Sequence, residues 1–480
     1  MAKIVFVQEE LRDRFGIMYL SAFLKRAGHE REIFIAQADA DFKQAVIDSK
    51  PDVISFSTMT PGIAFALKWA EIFKHETSAL ILMGGPHPTF YPEVIENKCL
   101  DIICRGDGEI ALPKLLDAIN AGEDYYHIDN FWVKDRNDPS VIYKNDLCER
   151  MSIDEWPLPD WDLYFDKYEA LRNAPTKKIM VAKGCPFDCS YCFNKTVKQL
   201  YTGKGKYLSF KNVDNVIEEI KAIRDRYGMK WLQIITDTVN VNRKWFIEFL
   251  TRYKQTFDIP FVCNVRIDHI DEEMVALMKE ARCDRVNYGV EHGNYGVRRD
   301  ILHRDIPDDV IIRAGELFTK YGIRVQTANI IGLPGETVEL AMETVRLNRR
   351  LKPSIAQCFI LQPYPRTEIY KYSVEHGFLD EGMFNSAGTG FQVDFEGQSD
   401  SMPLKLEQEK ELIKLFYLFD FMVKYPFLDR FLKLILGLPC NRLYKFIYVY
   451  PVLRQNIKYS GTLKDKLKGI MRLIKVFFRG

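Results

Sequence analysis

The sequence predicts an α/β chain: a doubly wound parallel sheet, then a partial (β/α)6 barrel, then a mostly helical region. Three observations carry this. Short β-like runs alternate with helical stretches through the first ~120 residues, the alternation restarts at Lys178, and a helical, aromatic and finally basic pattern follows residue ~400. A chain of 480 residues exceeds one ordinary core and implies two or three domains, and its 47% hydrophobic content supplies the apolar surface to build them.

Lys3–Val7 (KIVFV) reads as the first strand and Gly16–Ala27 as a helix with apolar positions at three-to-four spacing. Glu32–Ala36 and Val53–Ser57 (VISFS) are the second and third strands. Pro61–His75 is helical and begins on a proline, where a missing N–H costs nothing. Ala79–Met83 runs into Gly84-Gly85-Pro86, and Asp101–Cys104 into Arg105-Gly106-Asp107-Gly108-Glu109. Strands separated by helices in this way form a parallel sheet with ligand sites outside the carboxyl ends of its strands, where both Gly-rich turns lie. The first strand-to-helix turn lacks GxGxxG, which argues against a dinucleotide.

Residues 126–175, with Trp156-Pro157-Leu158-Pro159-Asp160-Trp161, read as a linker. In the second series Ile179–Ala182, Trp231–Thr236, Phe261–Val265, Arg285–Val290, Arg324–Ile331 and Ala356–Leu361 are strands. Val213–Tyr227, Arg243–Phe257, Glu272–Glu280, Asp308–Tyr321 and Val338–Leu351 are the helices between them. That rhythm suits an open barrel with its chemistry at the C-terminal strand ends. The expected domains are 1–125, 176–370 and 371–480.

Lys and Arg (67) nearly balance Asp and Glu (66), so net charge gives no reason to expect nucleic acid. The N-terminus carries no signal-peptide pattern and no apolar run approaches the ~20 residues of a membrane span. The expected compartment is therefore the cytoplasm, where the ten cysteines read as thiols or metal ligands rather than disulfides. Seven are scattered and read as buried structural thiols.

The other three, Cys185, Cys189 and Cys192, stand on one loop, GCPFDCSYCFN, directly after the first strand of the second domain. Three thiolates there can hold three irons of a cubane cluster and leave the fourth iron open. A zinc site is the alternative, but it normally takes four protein ligands in paired CxxC elements, and no second CxxC exists.

CxxxCxxC with an aromatic residue, Tyr191, before the third cysteine resembles the radical S-adenosylmethionine (SAM) superfamily over roughly residues 176–370. The resemblance implies a [4Fe–4S] cluster on the three cysteines, SAM on the open iron, and reductive cleavage of SAM to a 5′-deoxyadenosyl radical. Other family features follow in order. Ile234-Ile235-Thr236-Asp237 ends the second strand and Asn264-Val265-Arg266 the third. Tyr288-Gly289-Val290-Glu291-His292-Gly293 is similar to the family's Gly-Ile-Glu-Ser-Gly strand end, with His292 in place of serine. Ile331-Gly332-Leu333-Pro334-Gly335-Glu336-Thr337 matches its strand-to-helix turn, and Arg304 stands where relatives often have lysine. The resemblance thus implies SAM contacts from Tyr191, Asp237, Arg266, Glu291, Arg304 and Gly332. His292 and His303 read either as proton-transfer groups or as hydrogen-bonded structural histidines.

A Rossmann-like domain ahead of such a barrel resembles the cobalamin-binding radical SAM proteins, the class B-type methyltransferases and related anaerobic cyclases. Ser57, Thr58, Gly84, Gly85, His87, Gly106 and Glu109 fall at that family's cofactor-facing turns. The Asp-x-His-x-x-Gly cobalt-ligand pattern is absent, and His87 could equally hydrogen-bond its own turn. The implied activity is methylation of an unactivated carbon of an organic, natural-product or lipid-like substrate. Oxidative cyclisation or rearrangement, as in tetrapyrrole cyclases, and a non-catalytic cobalamin or metal sensor are the alternatives. The implied partners are a small-molecule or lipid-like substrate and a reductant such as flavodoxin or ferredoxin.

Residues 441–480 carry ten basic residues against Asp465 alone, and Leu467–Phe478 alternates apolar and basic groups at helical spacing. The segment reads either as a peripheral contact with an anionic membrane or as a helix packed on the barrel with a solvated basic face.

Overall fold

The computed structural model describes residues 1–382, 401–439, 443–448 and 450–451. Two compact units result. The first comprises Met1–Asn173 with Thr196–Tyr207 and the described residues Glu381 and Gly382; the second comprises Ala174–Lys195, Leu208–Asp380 and the described residues after 396.

In the first unit, β1 (Lys3–Gln8), β2 (Glu30–Ile35), β3 (Val53–Ser57), β4 (Leu80–Gly84) and β5 (Ile102–Cys104) are parallel. Between them run α1 (Phe15–Arg26), α2 (Phe42–Asp48), α3 (Ile63–Glu76) and the short α4 (Pro86–Phe90), and α5 (Ala111–Ala121) follows. Val5, Val7, Ile54, Phe56, Ile81 and Met83 pack with Val46 of α2 and Ala66, Ala70 and Phe73 of α3. Their neighbours Ile4, Phe6 and Ile33 are buried too, as a parallel sheet covered on both faces requires.

The expected linker differs in one respect. β6 (Phe131–Lys134) and β7 (Ile142–Lys144) extend the sheet antiparallel to order β2-β1-β3-β4-β5-β6-β7. Phe131 and Val133 are buried while Trp132 and Lys134 are only partly so, a period-two pattern too short to stand out between polar turns. The short helices α6 (Asp162–Phe165) and α7 (Glu169–Arg172) follow.

The second unit opens with β8 (Thr176–Met180), β9 (Ala182–Lys183), α8 (Phe193–Leu200, whose last residues belong to the first unit) and β10 (Ser209–Phe210), which pairs antiparallel with β9. The series continues α9 (Val213–Tyr227), β11 (Trp231–Ile235), α10 (Arg243–Thr256), β12 (Phe261–Asn264), α11 (Glu272–Glu280), β13 (Cys283–Glu291), α12 (Asp308–Lys320), β14 (Arg324–Ile331), α13 (Val338–Leu351) and β15 (Ile355–Ile360). Six parallel strands in the order β15-β14-β13-β12-β11-β8 form the open barrel. Ile179, Leu232, Ile234, Phe261, Val286 and Val290 face the helices and share one core with Val216, Phe246, Phe249, Met274 and Phe318. The alternate positions are polar: Asn287 Nδ2 donates to Asn264 Oδ1 at 3.0 Å, and Gln326 Nε2 to Gln357 Oε1 at 2.5 Å. Asn212, Asn242, Asp271 and Thr337 cap α9, α10, α11 and α13 by accepting from the first helical turn.

After α14 (Glu368–Glu375), α15 (Glu409–Lys424) buries Leu412, Leu415, Phe416, Phe419 and Met422 in a cluster shared with α13 and β15, and α16 (Leu432–Gly437) follows. Among the described residues no helix is long and apolar enough to cross a membrane. The basic stretch Leu467–Phe478 lies outside the described residues.

Candidate active site

The cluster loop begins where Gly184, at φ +93°, turns the chain out of β9. Its middle is fastened by Ser190, which donates from N to the Leu302 carbonyl (3.1 Å) and from Oγ to that of Ile301 (2.5 Å), while the Ile369 N–H donates to the Ser190 carbonyl (3.0 Å). Cys189 is buried, and Cys185 and Cys192 are half-buried. Burial raises the Cys185 thiol and pushes that of Cys192 up to about 12. Among the described residues no three His, Cys, Asp or Glu side chains converge on a point as a single ion needs. A cubane asks something else, that each thiolate bond its own iron, and three thiols with no fourth on one anchored loop fit that group.

Tyr191 hydrogen-bonds the Glu291 carboxylate. Burial raises the Glu291 carboxyl, opposed by Arg304, whose Nη1 lies 4.0 Å from Glu291 Oε1. Arg304 also donates from Nη2 to the Gly289 carbonyl at 2.7 Å. Glu291 has φ +66°, unusual for a residue with a side chain. A Cβ on Gly289 would lie 1.8 Å from Glu291 Oε1, so that glycine leaves room for the folded-back carboxylate. The arrangement gives a buried carboxylate flanked by a cation and a phenol at the end of β13, one position from the third cysteine. It can hold the ammonium and carboxylate of an amino acid.

Asp237 stands at the start of the loop after β11, with its carboxyl raised by burial and hydrogen-bonded to Asn194, two residues past Cys192. Arg266 lies 3.4 Å above the Phe187 ring of the cluster loop, bonds Asp268 through Nε at 2.8 Å, and exchanges backbone hydrogen bonds with the Asn240 side chain. Gly332, at φ +80°, donates its N–H to Glu336 and so shapes the turn after β14. His292 is fully buried: Nδ1 accepts from Asn294 N (3.0 Å) and Nε2 pairs with Glu336 Oε1 (3.1 Å). His303 is exposed beside Glu368 Oε2 at 2.9 Å, and Lys195 takes the other oxygen. Sequence reasoning missed Asn194, Asn240 and Arg298. Arg298 is fully buried, donates to the carbonyls of His292, Gly293 and Ile306, and pairs with Asp308. Only Asn194 carried a signal, its place two residues after Cys192.

In the first unit the predicted turns meet at the carboxyl edge of the sheet. The Thr58 N–H donates to the Gly84 carbonyl (2.8 Å), the His87 N–H to the Thr58 carbonyl (3.0 Å) and Thr89 Oγ1 to the Gly85 carbonyl (2.8 Å). A Cβ on Gly85 would approach the Thr58 backbone to 2.9 Å, so these loops touch because a glycine stands there. Gly106 donates to Thr89 Oγ1 (2.9 Å), and Glu109 is buried nearby in sequence. His87 is buried with Nδ1 3.2 Å from Thr60 Oγ1 and its ring stacked on Tyr91. Ser57 is tied to the β1 loop through Arg14, whose Nη1 donates to its carbonyl at 2.8 Å across the point where the strand order reverses. Small residues and main-chain polar groups on that edge fit a large, amide-rimmed corrin tail. The missed supports are Tyr201 and Arg150. The Tyr201 hydroxyl accepts from Asp107 N (2.8 Å), and Arg150 bonds Asp107 Oδ2 (2.8 Å).

Comparison with known proteins gives the family of each domain. The Radical SAM superfamily model matches residues 179–347 and the B12 binding domain model residues 11–116. An uncharacterized methyltransferase of Pyrococcus horikoshii is 29% identical over 378 residues, covering 76% of this chain and 79% of that protein. An anaerobic magnesium-protoporphyrin IX monomethyl ester cyclase of Rubrivivax gelatinosus is 26% identical over 386 residues, covering 74% of this chain and 65% of that one. The structure of the radical SAM methyltransferase TsrM from Kitasatospora setae, with cobalamin and a [4Fe–4S] cluster bound, shares the fold. Its TM-score is 0.65 at 16% identity, over 83% of each chain. The chain is therefore a radical SAM enzyme with an N-terminal B12-binding domain, and its cofactors are a [4Fe–4S] cluster, SAM and cobalamin.

Proposed function

We propose that this enzyme methylates an unactivated carbon of an organic substrate, using Cys185, Cys189 and Cys192 to hold the cluster. When bound, the cofactors supply homolytic cleavage of SAM and carriage of a methyl group. The chain's own work is positioning. Glu291, flanked by Tyr191 and Arg304, would hold the amino-acid end of SAM, and Asp237 and Arg266 stand just past the ends of β11 and β12. Thr58, Gly84, Gly85 and Gly106 would receive the corrin tail. Anchoring of the loop at Ser190 fixes the thiols relative to Ile301 and Leu302, in the stretch after β13, and to the start of α14. A one-electron donor of the flavodoxin or ferredoxin kind is required.

The observation that carries this reading is the buried Glu291–Tyr191–Arg304 group beside the cluster loop, since a sensor has no use for an amino-acid clamp. Turnover of the anaerobically reconstituted enzyme with methyl-labelled SAM tests it, given a substrate: label in product supports methyl transfer. Unlabelled product with 5′-deoxyadenosine formed would move the assignment to a cyclase or rearrangement enzyme, the second reading. The Rubrivivax gelatinosus relative favours that second reading.

A further inference from the structure

The segment after α15 turns apolar side chains away from its own core. Phe427, Phe431, Leu434 and Leu438 are 60%, 50%, 66% and 48% exposed. They form one exposed apolar stripe of the sequence, with Phe427 and Phe431 on the 3-10 helix Pro426–Phe431, Leu434 on α16 and Leu438 just past its end. A second stripe, Leu443, Phe446 and Tyr450, is 57%, 41% and 52% exposed. The segment is nevertheless tethered to the barrel. Arg349 donates to the Met422 carbonyl (2.7 Å) and to both oxygens of Asp429 (2.6 and 2.7 Å). Tyr444 and Tyr448 donate to the carbonyls of Ile435 (2.8 Å) and Cys358 (3.2 Å). Leu428, Leu432 and Leu436 pack inward. The exposed stripes therefore belong to a fixed surface.

Charge on this surface has one sign. Arg430 and Lys433 are exposed, and the single acid between Phe421 and Pro451, Asp429, is engaged by Arg349. In the sequence, residues 452–480, which lie outside the described residues, hold eight Lys and Arg against Asp465.

We propose that this face docks on the anionic surface of a lipid bilayer. Phe427, Phe431 and Leu434 enter the headgroup–acyl boundary, and Arg430 and Lys433 meet lipid phosphates. A second copy related by a two-fold axis would set these cations against their own counterparts, and covering by the chain's own basic end would do the same. Lipid phosphates over a hydrocarbon interior satisfy both the apolar and the cationic residues at once.

Full-length protein sedimented with vesicles containing roughly one-third phosphatidylserine, and with neutral phosphatidylcholine vesicles, tests this. The expected result is at least about tenfold stronger binding to the anionic vesicles, weakened by added salt. The triple variant Phe427→Ser/Phe431→Ser/Leu434→Ser, whose side chains are exposed, should keep the wild-type circular dichroism and lose about tenfold in binding or more. Arg430→Glu/Lys433→Glu should lose a similar factor. Wild-type protein that stays in the supernatant overturns the proposal, as does a triple variant that binds like wild type. A wild-type dimer that the triple variant converts to monomer also overturns it, because it assigns the face to a second copy. The measurement needs no cofactor, so its failure and that of the methyltransferase reading are distinguishable.

Discussion

His292 and Glu336 pair across 3.1 Å in a region closed to solvent, tying the end of β13 to the turn after β14. The second Glu336 oxygen accepts the N–H groups of Gly332 and Leu333, so one carboxylate gathers three donors. Replacing Glu336 by Ala orphans all of them. A loss of about 3–5 kcal/mol is expected from the barrel unit, read as a lowered unfolding midpoint in urea. A loss under about 1 kcal/mol would mean that water replaces the carboxylate, contrary to the burial.

Glu291→Gln keeps shape and removes charge. SAM affinity of the iron-loaded protein should fall about tenfold or more by equilibrium dialysis, equivalent to roughly 1.4 kcal/mol, while iron content stays unchanged. Unaltered SAM affinity would remove Glu291 from the clamp. Cys185→Ala, by contrast, should fail to retain the ~4 irons of an intact cluster.

Two glycines predict opposite outcomes. A Cβ on Gly293 would lie 2.2 Å from the Glu343–Thr344 backbone, whereas one on Gly16 meets nothing within 4 Å. Gly293→Ala should destabilise by about 3 kcal/mol or fail to accumulate, because backbone must move. Gly16→Ala, within α1, should be neutral or stabilising by about 0.5–1 kcal/mol. Thermal unfolding of the two variants side by side decides it.

Arg349 holds the Asp429 carboxyl below the ordinary carboxylate range through their hydrogen bonds. The pair therefore stabilises above the ordinary Asp value of ~3.9, and its contribution fades as pH falls through the lowered value. Asp429 is partly exposed, so Asp429→Asn should cost only about 1 kcal/mol at pH 7. The gap between wild type and variant should close as acid is added. A gap that persists under acid conditions would assign the loss to packing instead.

In the first unit, Gly106→Ala would drive a methyl into the Tyr201 hydroxyl, since its Cβ would lie 2.0 Å away. Cobalt retained after reconstitution and desalting should drop several-fold while iron is unaffected. Equal loss of both metals would indicate general misfolding.

Much of this was legible in the sequence because it is written locally. The parallel strands of both sheets are short apolar runs ending at glycine or polar turns, and CxxxCxxC sits on one loop. Pairings between distant segments were not legible. Nothing near Asp237 names Asn194 as its partner, and nothing near Asp107 names Tyr201. β6 and β7 were lost for another reason: four and three residues are too few for an alternation to rise above the polar turns around them. His292 looked ambiguous because a histidine at a strand end has the same local sequence whether it moves protons or braces a turn. Only the burial of Glu336 beside it shows the brace.

Tyr201 reaches Asp107 from a stretch that the chain encodes after the cluster cysteines, although it belongs to the first unit. On a ribosome that emits the N-terminus first, the Gly106 turn stays unfinished until translation has passed the third cysteine and reached Tyr207. A nascent chain halted at Asn173 would hold all seven strands of this sheet but leave the Gly106 turn without its Tyr201 support, so vectorial synthesis orders the maturation of this enzyme: the thiol loop is already made before that turn can set.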